Sequence, residues 1–522
     1  MATAASDSLF GHPRGLYVCF LTEMWERFAF YGMKAILFLY LTKHHLFADA
    51  DSNLLLGTYA GIAYALPLLG GLLADRYLGM RKAVLFGGAL LALGQLGMAW
   101  IGTPATGLPG AAQRDGTALQ VMYFSLALIG VGVGFLKPNI STIVGRLYRP
   151  DDPRRESGFT IFYMGINVGA TLSSLIVAWI GETIGWGWGF GLSGVMMVLG
   201  LLQFAWGQKY LNGLAEAPDP VVLRTPVWIG LSREAWIYVG AVLLALLVWQ
   251  MLQIRIGFAP LTALLGGHEA TLTEVVAVVF GLALYVWFFW LLRSGLSRAE
   301  KGRMTLLILL TTVSALFWGL YEQTYGPWVT MADRVMDRST FGLEWTAGQT
   351  TNFGALFVIL FSLPFAWLWP RLDRRGLNPG YAVKFGLALL CCGLSFGVLA
   401  YAALHPGAGG LVSLWWMILA YAVLVLGEML LSPVGLSAVT HLAIPRAVGL
   451  MMGAWFLFSA FGEIIAGRLG TWAAMEPLPD GSYDRGAALA LYADVFGTMM
   501  WLGVAAGVAL LLASPLLKRL TR

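Results

Sequence analysis

Charged side chains are scarce in this chain. Lys, Arg, Asp and Glu make up 12% of its 522 residues, whereas a soluble globular domain carries roughly 25%. Hydrophobic residues account for 58% of the chain, and the mean hydropathy is +0.73. A composition this apolar excludes an ordinary soluble globular protein.

Cysteines are few, and the common motifs of enzymes are absent. The three cysteines, Cys19, Cys391 and Cys392, lie in apolar stretches, so neither a disulfide framework nor a metal-ligand spacing is visible. The six histidines lie near the ends of apolar stretches or between them. No His-Glu-x-x-His, Gly-x-Ser-x-Gly or Gly-x-x-x-x-Gly-Lys-Ser/Thr motif occurs. We therefore expect neither an enzyme nor a bound metal or cofactor.

What the chain has instead is long apolar runs. Reading runs of about 20 residues as membrane spans gives about fourteen of them. The runs are too long for the strands of a membrane barrel, and they lack the alternating polarity of such strands. The sequence therefore predicts an all-α polytopic membrane protein embedded in a lipid bilayer.

Basic residues are distributed unequally between the connections. With an even number of spans, about 23 Lys and Arg fall on the side of the termini and about 7 on the other side. This asymmetry predicts a multi-pass protein of the cytoplasmic (inner) membrane with both termini cytoplasmic. It also accounts for the net charge of +5 without nucleic-acid binding.

Two similar blocks of spans flank an insert. We predict an N-terminal six-helix bundle over 1–208, a linker with two extra helices over 209–303, and a C-terminal six-helix bundle over 304–522. Both blocks place a basic, Gly-containing connection after their second span, at Gly71–Lys82 and at Arg371–Gly376. Weak internal symmetry of this kind is expected of a transporter built from repeats. The first connection resembles the loop characteristic of the major facilitator superfamily, although a plain basic turn would look similar.

The first span carries four ionisable side chains, Glu23, Glu26, Arg27 and Lys34. A charge at mid-membrane costs on the order of 2.5–3.5 kcal/mol on the insertion scale, so such groups are rare and usually functional. At about 100° per residue, these four side chains and Tyr31 fall within roughly 140° of one another. We expect this face to contact protein or a watery cavity rather than lipid.

Charges in other spans lie at matching depths. Counted from the span ends, Lys137 and Glu428 lie on the inner side of the membrane centre, as Glu23 does. Lys34 and Glu322 lie at similar depths on the outer side. Lys137 and Glu428 are therefore one candidate gate pair, and the outer two residues are another. The alternative is that each pair is a static structural contact.

The signs of these charges differ between the two blocks. The cations Arg27, Lys34 and Lys137 belong to the first block, whereas Glu322 and Glu428 belong to the second. A zwitterion with its carboxylate on the cations and its ammonium on a glutamate would bridge both blocks, and its binding could close them. This pattern favours an amino acid or a short peptide over a sugar or a hydrophobic drug.

The coupling ion is expected to be a proton. Because no histidine lies near mid-span, carboxylates would have to carry the proton, and Glu23 and Glu26 lie one turn apart beside Arg27. Protonation of one of them would free the cation for substrate. Sodium coupling, which favours unwound segments rich in carbonyl groups, stays open as an alternative.

Aromatic and amide side chains could complete a pocket. The aromatic candidates are Tyr31, Tyr64, Trp318 and Trp455. Tryptophan and tyrosine are also common anchors at membrane interfaces, and this role explains most of the 21 tryptophans. Asn167 and Asn352 are polar residues in apolar surroundings that could bond a peptide backbone or a neighbouring helix.

Several segments together resemble the proton-dependent oligopeptide transporter family. Glu23–Gly32 resembles its first-helix signature, and Gly158–Ala170 resembles its fifth-helix signature. Further matching segments are Gly134–Asn139, Phe317–Gln323, Pro364–Arg375 and Gly427–Pro433. The matches cover both blocks, and two extra central spans are a feature of bacterial members.

The resemblance implies a major facilitator fold and a functional monomer that imports di- and tripeptides with protons by alternating access. The peptide carboxylate would be held by Arg27, Lys34 and Lys137, and Glu428 would hold the amino group. The pocket would be lined by Tyr31, Tyr64, Asn167, Trp318, Asn352, Ser432 and Trp455. The candidates for proton coupling are Glu23, Glu26 and Glu322.

The chain also departs from the family pattern. Phe30 and Lys34 stand where many members have Tyr and Arg, and Asn352 is followed by Phe rather than the usual Pro. These departures leave the peptide preference open. A drug, nitrate or a modified peptide is an alternative substrate, although nitrate-carrying relatives tend to lose the Glu-Glu-Arg set of the first helix. A receptor or a channel is a further alternative.

Overall fold

The computed structural model describes residues 8–109, 111–149, 151–257, 259–264, 266–340 and 342–520, and it is mainly helical. The long helices are α1 (Arg14–Lys43), α2 (Asp49–Leu73), α3 (Met80–Met98), α4 (Gly116–Arg146), α5 (Arg155–Thr183), α6 (Trp186–Gly207), α8 (Arg233–Met251), α10 (Leu272–Arg293), α11 (Arg298–Tyr321), α13 (Asn352–Arg374), α14 (Tyr381–Leu404), α15 (Leu414–Leu442), α16 (Val448–Gly470) and α17 (Arg485–Arg519). The shorter helices are α7 (Pro220–Arg224), α9 (Ala259–Leu264) and α12 (Pro327–Val335).

The strands are short and confined to the connections. They form the pairs β1 (Ser8–Leu9) with β2 (His12–Pro13), β3 (Pro226–Trp228) with β4 (Leu231–Ser232), β5 (Arg255–Ile256) with β6 (Ala270–Thr271), β7 (Met336–Asp337) with β10 (Val412–Ser413), and β8 (Ser339–Thr340) with β9 (Leu343–Glu344). The pair β7–β10 is parallel and the others are antiparallel.

The number of long helices in the described residues is consistent with the about fourteen spans predicted from the sequence. Within the described residues, 12 stretches are long and apolar enough to cross a membrane. Two more long helices are absent from that set: α1, which carries four buried charges, and α3, which has Arg81 and Lys82 in its first turn. Helices satisfy their own backbone hydrogen bonds, which a span in lipid requires. The prediction of an all-α polytopic membrane protein is confirmed.

Polar side chains fix the starts of several helices. The Asp115 carboxylate accepts hydrogen bonds from the N–H groups of Thr117 and Ala118 at 3.0 and 3.1 Å, and so caps α4. These bonds lower the pKa of the Asp115 carboxyl below its usual value. Thr271 and Glu274 form a reciprocal capping box at the start of α10. Such caps define the residue at which each of these apolar helices begins.

The chain divides into two compact units. Unit 1 contains the residues up to Tyr40 together with Ile62–Ala105 and Gln113–Ile254. Unit 2 contains Leu41–Gly61, Thr106–Ala112 and the residues from Arg255 onward. The last residues of α1 and the first half of α2 therefore pack with the later part of the chain.

In unit 1, α3 and α4 pack backbone against backbone. A Cβ atom on Gly87 would lie 2.6 Å from the Gly132 carbonyl oxygen, and one on Gly132 would lie 2.7 Å from the Gly87 carbonyl oxygen. Only residues without a side chain permit this approach, which is common where membrane helices pack. The α8 helix of the insert is joined to α3 by an ion pair of 2.5 Å between Lys82 Nζ and Glu234 Oε1.

In unit 2, a partly buried ion pair joins α10 of the insert to α16. Arg468 donates from Nε to Glu274 Oε1 at 2.8 Å, and from a terminal guanidinium nitrogen to Oε2 at 2.6 Å. This two-point contact fixes the orientation of both side chains. Each extra helix is thus tied to a helix of its own unit.

In unit 2, the first residue of α2, Asp49, is joined to other parts of the unit by hydrogen bonds. The Asp49 carboxylate accepts two hydrogen bonds from Arg334, at 2.6 and 2.8 Å, and one from the Met475 backbone N–H at 3.0 Å. Both charged side chains are buried, with exposed fractions of 5% for Arg334 and 3% for Asp49. The Arg334 guanidinium also lies 3.6 Å from the centre of the Tyr483 ring. This network was not predicted from the sequence.

Candidate functional site

In unit 1, α1 brings Glu23, Glu26 and Arg27 into one buried group, which we call the α1 cluster. Their exposed fractions are 2%, 0% and 3%. Arg27 Nε lies 2.8 Å from Glu23 Oε1 and 2.8 Å from Glu26 Oε2. The spacing of four residues lets Glu23 reach Arg27 along the helix. The charges that the sequence places on one face of α1 are therefore in contact.

Most carboxylate oxygens of the α1 cluster lack a hydrogen bond to any residue that the structure describes. Within the described part of the chain, Glu23 Oε2 and both carboxylate oxygens of Glu26 accept no hydrogen bond. The Glu26 contact with Arg27 is an ion pair of poor hydrogen-bond geometry. Lys137 on α4 is close enough to Glu26 to interact electrostatically. A buried carboxylate that lacks hydrogen bonds is costly in its charged form, so Glu26 is suited to accept a proton.

Lys137 lies over an aromatic ring. Its Nζ is 4.0 Å from the centre of the Tyr64 ring, a cation–π contact between α4 and α2. Phe30 is buried between two tyrosines, with its ring 5.5 Å from that of Tyr31 and 6.5 Å from that of Tyr64. The phenylalanine that departs from the family pattern therefore packs against two of the predicted pocket residues. Lys34 is 1% exposed, one turn beyond Phe30 on α1.

Helix α5 approaches α1 at a glycine. A Cβ atom on Gly169 would overlap the Met24 carbonyl oxygen and would lie 3.1 Å from Arg27 Cβ. This glycine of the fifth-helix signature therefore lets α5 lie directly beside the α1 cluster. Asn167 is 8% exposed and donates from Nδ2 to the Tyr163 carbonyl oxygen of its own helix at 3.0 Å.

In unit 2, Glu428 is paired with a tyrosine that was not predicted from the sequence to belong to the site. The Tyr321 hydroxyl on α11 donates to Glu428 Oε2 on α15 at 2.8 Å. Glu322 is close enough to Glu428 to interact electrostatically. Helix α11 ends at Tyr321, and a 3₁₀ turn over Glu322–Tyr325 follows before α12. Glu322 therefore sits where the helical geometry changes within this stretch.

Trp318 packs against two other aromatic rings of α11, one of which belongs to Tyr321, the hydrogen-bond partner of Glu428. Its ring lies 5.4 Å from the Tyr321 ring, edge to face, and 5.5 Å from the Phe317 ring. The Trp318 indole Nε1 is buried and has no hydrogen-bond partner among the residues that the structure describes. Tyr321 lies one turn after Trp318, so the helical period could have identified it as a residue of the same face.

Three other predicted pocket residues of unit 2, Asn352, Ser432 and Trp455, differ in their exposure and in what they pack against. Asn352 is 4% exposed at the start of α13, two residues before Gly354. Ser432 is half-buried on α15, one turn after Glu428. Trp455 is 4% exposed, with its ring packed against the backbone of Gly435. Trp455 thus fills space between α16 and α15, and its role in a pocket stays a prediction.

The described residues hold no group of three or more His, Cys, Asp or Glu side chains that could bind a metal ion. The carboxylates of the α1 cluster lie beside Arg27 in unit 1, and the Glu428 carboxylate lies beside Tyr321 in unit 2. Both arrangements suit the exchange of protons and of charged ligand groups.

Comparison with known proteins gives one consistent result. A family model described as PTR2, the POT family, matches residues 81–478. The peptide transporter YePEPT of Yersinia enterocolitica is 32% identical over 488 residues, which cover 90% of this chain and 89% of that protein. The dipeptide and tripeptide permease A of Cronobacter turicensis is 30% identical over 524 residues, covering 100% and 96%.

A solved structure gives the same result for the fold. The crystal structure of a mutant peptide transporter POT in complex with alafosfalin matches with a TM-score of 0.77 at 34% identity, and it covers 98% of this chain and 96% of that one. These relatives are transporters rather than enzymes, and their shared architecture is the major facilitator fold. The chain belongs to the POT family.

Proposed function

We propose that this chain imports di- and tripeptides together with protons across the cytoplasmic membrane, by alternating access. The names of its relatives, peptide transporter and dipeptide and tripeptide permease, support peptides as substrates. In this proposal one chain is the functional unit, both termini are cytoplasmic, and the proton is the coupling ion with no further cofactor. Six-helix bundles over 1–208 and 304–522 would alternate around the site, with the insert of 209–303 between them in the chain.

The contact of Arg27 with two buried carboxylates carries this proposal. When Glu23 and Glu26 are both charged, they hold the Arg27 guanidinium between them. A proton on Glu26 removes one of the two negative charges and weakens the hold on Arg27. The guanidinium can then bind a peptide carboxylate, for which its planar fork of donors is well suited. Proton uptake and peptide binding thus favour each other.

The far end of the peptide would be bound in unit 2. The Glu428 carboxylate, oriented by the Tyr321 hydroxyl, is the proposed partner of the peptide amino group. Trp318 beside it offers an apolar face to a side chain of the peptide. Lys34 and Lys137 would assist Arg27 at the carboxylate, and the remaining lining residues would be Tyr31, Tyr64, Asn167, Asn352, Ser432 and Trp455.

Two gates complete the proposal. Each would join a cation of unit 1 to an acid of unit 2, with Lys137 and Glu428 at the inner gate. Lys34 and Glu322 would form the outer gate, and Glu322 would also take part in proton coupling. Glu322 lies where α11 gives way to a 3₁₀ turn, so a change in its partner can be passed to the direction of α12.

The decisive experiment separates proton coupling from peptide binding. Purified protein is reconstituted into liposomes that have an alkaline interior. Uptake of labelled dialanine into these liposomes is then measured with and without a protonophore. Glu26→Gln should abolish gradient-driven uptake, because its side chain cannot change charge. It should retain exchange of dialanine between equally loaded compartments, because the neutral amide leaves Arg27 free to bind peptide.

Glu156→Gln is the matched control, because Glu156 is an exposed acid at the start of α5. This variant should behave like the wild type in both assays. An equal loss of uptake and exchange in Glu26→Gln would refute a coupling role for Glu26. Wild-type uptake that is insensitive to the protonophore would refute proton coupling itself.

A further inference from the structure

Unit 2 contains a cavity that the proposed transport site does not use. It has a volume of about 440 Å³ and lies where α13 ends, α14 begins and α15 ends. Its polar and aromatic lining residues are Trp369, Asn378, Tyr381, Lys384, Ser437 and His441. The cavity is thus built by three helices that end or begin on one side of the unit.

Lys384 is a buried cation without an acidic partner in direct contact. Its exposed fraction is 8%, and its Nζ lies 4.0 Å from the centre of the Trp369 ring. In the part of the chain that the structure describes, no ion pair or hydrogen bond joins this ammonium group to another residue. Asp373 acts on it only at a distance, and its carboxylate accepts a hydrogen bond from Asn378 at 3.2 Å. An ammonium group in such a place is stabilised by a bound anion.

The surroundings of Lys384 also favour an anion. Lys384 lies in the first turn of α14, whose start has no side-chain cap, so the positive end of the helix dipole faces the same region. The last turn of α13 and the residue after it carry three exposed arginines, Arg371, Arg374 and Arg375, against the single acid Asp373. The local charge is therefore strongly positive.

Hydrogen-bonding groups stand opposite Lys384 in the cavity. The Tyr381 hydroxyl and His441 Nδ1 form a hydrogen bond of 2.7 Å, which fixes the imidazole ring and leaves its Nε2 for another partner. Ser437 adds a hydroxyl one turn before His441. A tetrahedral anion with several oxygens can use one cation and several such groups together.

The outer face of α13 indicates how such an anion would arrive. Leu360, Leu363 and Trp367 on this helix are exposed by 53%, 78% and 61%. The Arg371 guanidinium lies 4.3 Å from the centre of the Trp367 ring. An apolar exposed face that ends in tryptophan and arginine is typical of a helix at the lipid interface. The acyl chains of a lipid could lie along α13 while its headgroup reaches the cavity.

We propose that this cavity binds a phosphate-bearing anion, presented as the headgroup of an anionic phospholipid, with Lys384 as its ionic partner and Tyr381, Ser437 and His441 as hydrogen-bonding partners. Basic pockets between membrane helices on the cytoplasmic side are known to take anionic headgroups. The site would make the stability of unit 2 depend on the lipid composition of the membrane.

The test uses the full-length protein in detergent and native mass spectrometry. Phosphatidylglycerol and phosphatidylcholine are titrated separately, and glycerol 3-phosphate is added as a soluble competitor. The wild type should bind phosphatidylglycerol in preference to phosphatidylcholine. Lys384→Gln should weaken the first phosphatidylglycerol site about tenfold or more, as expected for loss of a charged hydrogen-bond partner. Competition by glycerol 3-phosphate would support the same phosphate site and show that the acyl chains are not required.

Two further variants test whether an effect of Lys384→Gln comes only from the lost charge or from misfolding. Ser437→Leu fills the cavity without changing charge, and it should weaken phosphatidylglycerol binding as Lys384→Gln does. Lys209→Gln is the control, because Lys209 is an exposed cation over the Tyr210 ring at a distance of 5.1 Å in unit 1. If Lys384→Gln does not fold, Ser437→Leu decides the result. Equal lipid binding by wild type and Ser437→Leu, or no preference for the anionic lipid, would overturn the proposal.

Discussion

The crossing of α5 and α1 at Gly169 provides a quantitative test of how Arg27 is held. The Cβ atom of an alanine here would overlap the Met24 carbonyl oxygen and would also lie 3.1 Å from Arg27 Cβ. A carbon–oxygen contact is normally about 3.3–3.6 Å. Because the obstructing atom belongs to the backbone of α1, α5 itself must move away by roughly 1 Å. Overpacking of this kind costs about 1–3 kcal/mol.

Gly169→Ala is therefore expected to lower the thermal stability of the protein and its dialanine uptake per folded molecule. Gly240→Ala is the matched control, because a Cβ atom on Gly240 in α8 meets nothing within 4 Å. In that exposed place alanine gains up to about 1 kcal/mol of helix propensity. Thermal unfolding in detergent and uptake in liposomes are measured for both variants. If Gly169→Ala is as stable and active as Gly240→Ala, α5 does not hold the α1 cluster in position.

Two further predictions concern unit 2. Asp49→Asn should destabilise the protein by about 3–5 kcal/mol, because it leaves the buried Arg334 without a charged partner. Asp333→Asn, which breaks a contact with the 43% exposed Lys43, should cost no more than about 1 kcal/mol in the same thermal unfolding assay; similar losses would show that burial does not set the cost. Glu428→Gln should weaken binding of peptides with a free amino group about tenfold or more, and an unchanged preference over N-acetylated peptides in competition assays would remove that assignment.

The helices of this protein were predictable because an apolar run of span length is a local property of the sequence. Even α1, whose four buried charges set it apart from the other spans, follows from its period, since Glu23, Glu26 and Arg27 share one face and are in contact. The approach of α5 to α1 was not predictable. Gly169 belongs to a segment that resembles a family signature, but only the structure shows that the Met24 backbone lies against it.

Side-chain partners distant in the sequence were not predictable either. Glu428 was expected to contact a substrate or a lysine, and its hydrogen-bond donor is Tyr321, which lies 107 residues earlier in the chain. Asn167, by contrast, has a hydrogen-bond partner that is close in the sequence. It was expected to bond a peptide or a neighbouring helix, whereas its amide donates to a carbonyl four residues back on the same helix. Such local bonding of asparagine competes with longer-range contacts and could have been weighed from the sequence.

This difference between local and distant partners bears on how protons and peptide could be coupled. In unit 1, the carboxylates and the guanidinium of the α1 cluster all belong to one helix, so a proton on Glu26 changes the charge around Arg27 without moving any other helix. In unit 2, a peptide ammonium at Glu428 would compete with the hydroxyl of Tyr321, the last residue of α11. In the proposed function, peptide binding would therefore act on the point where α11 gives way to the 3₁₀ turn that leads into α12. We infer that the proton prepares the site electrostatically, whereas the peptide supplies the mechanical step.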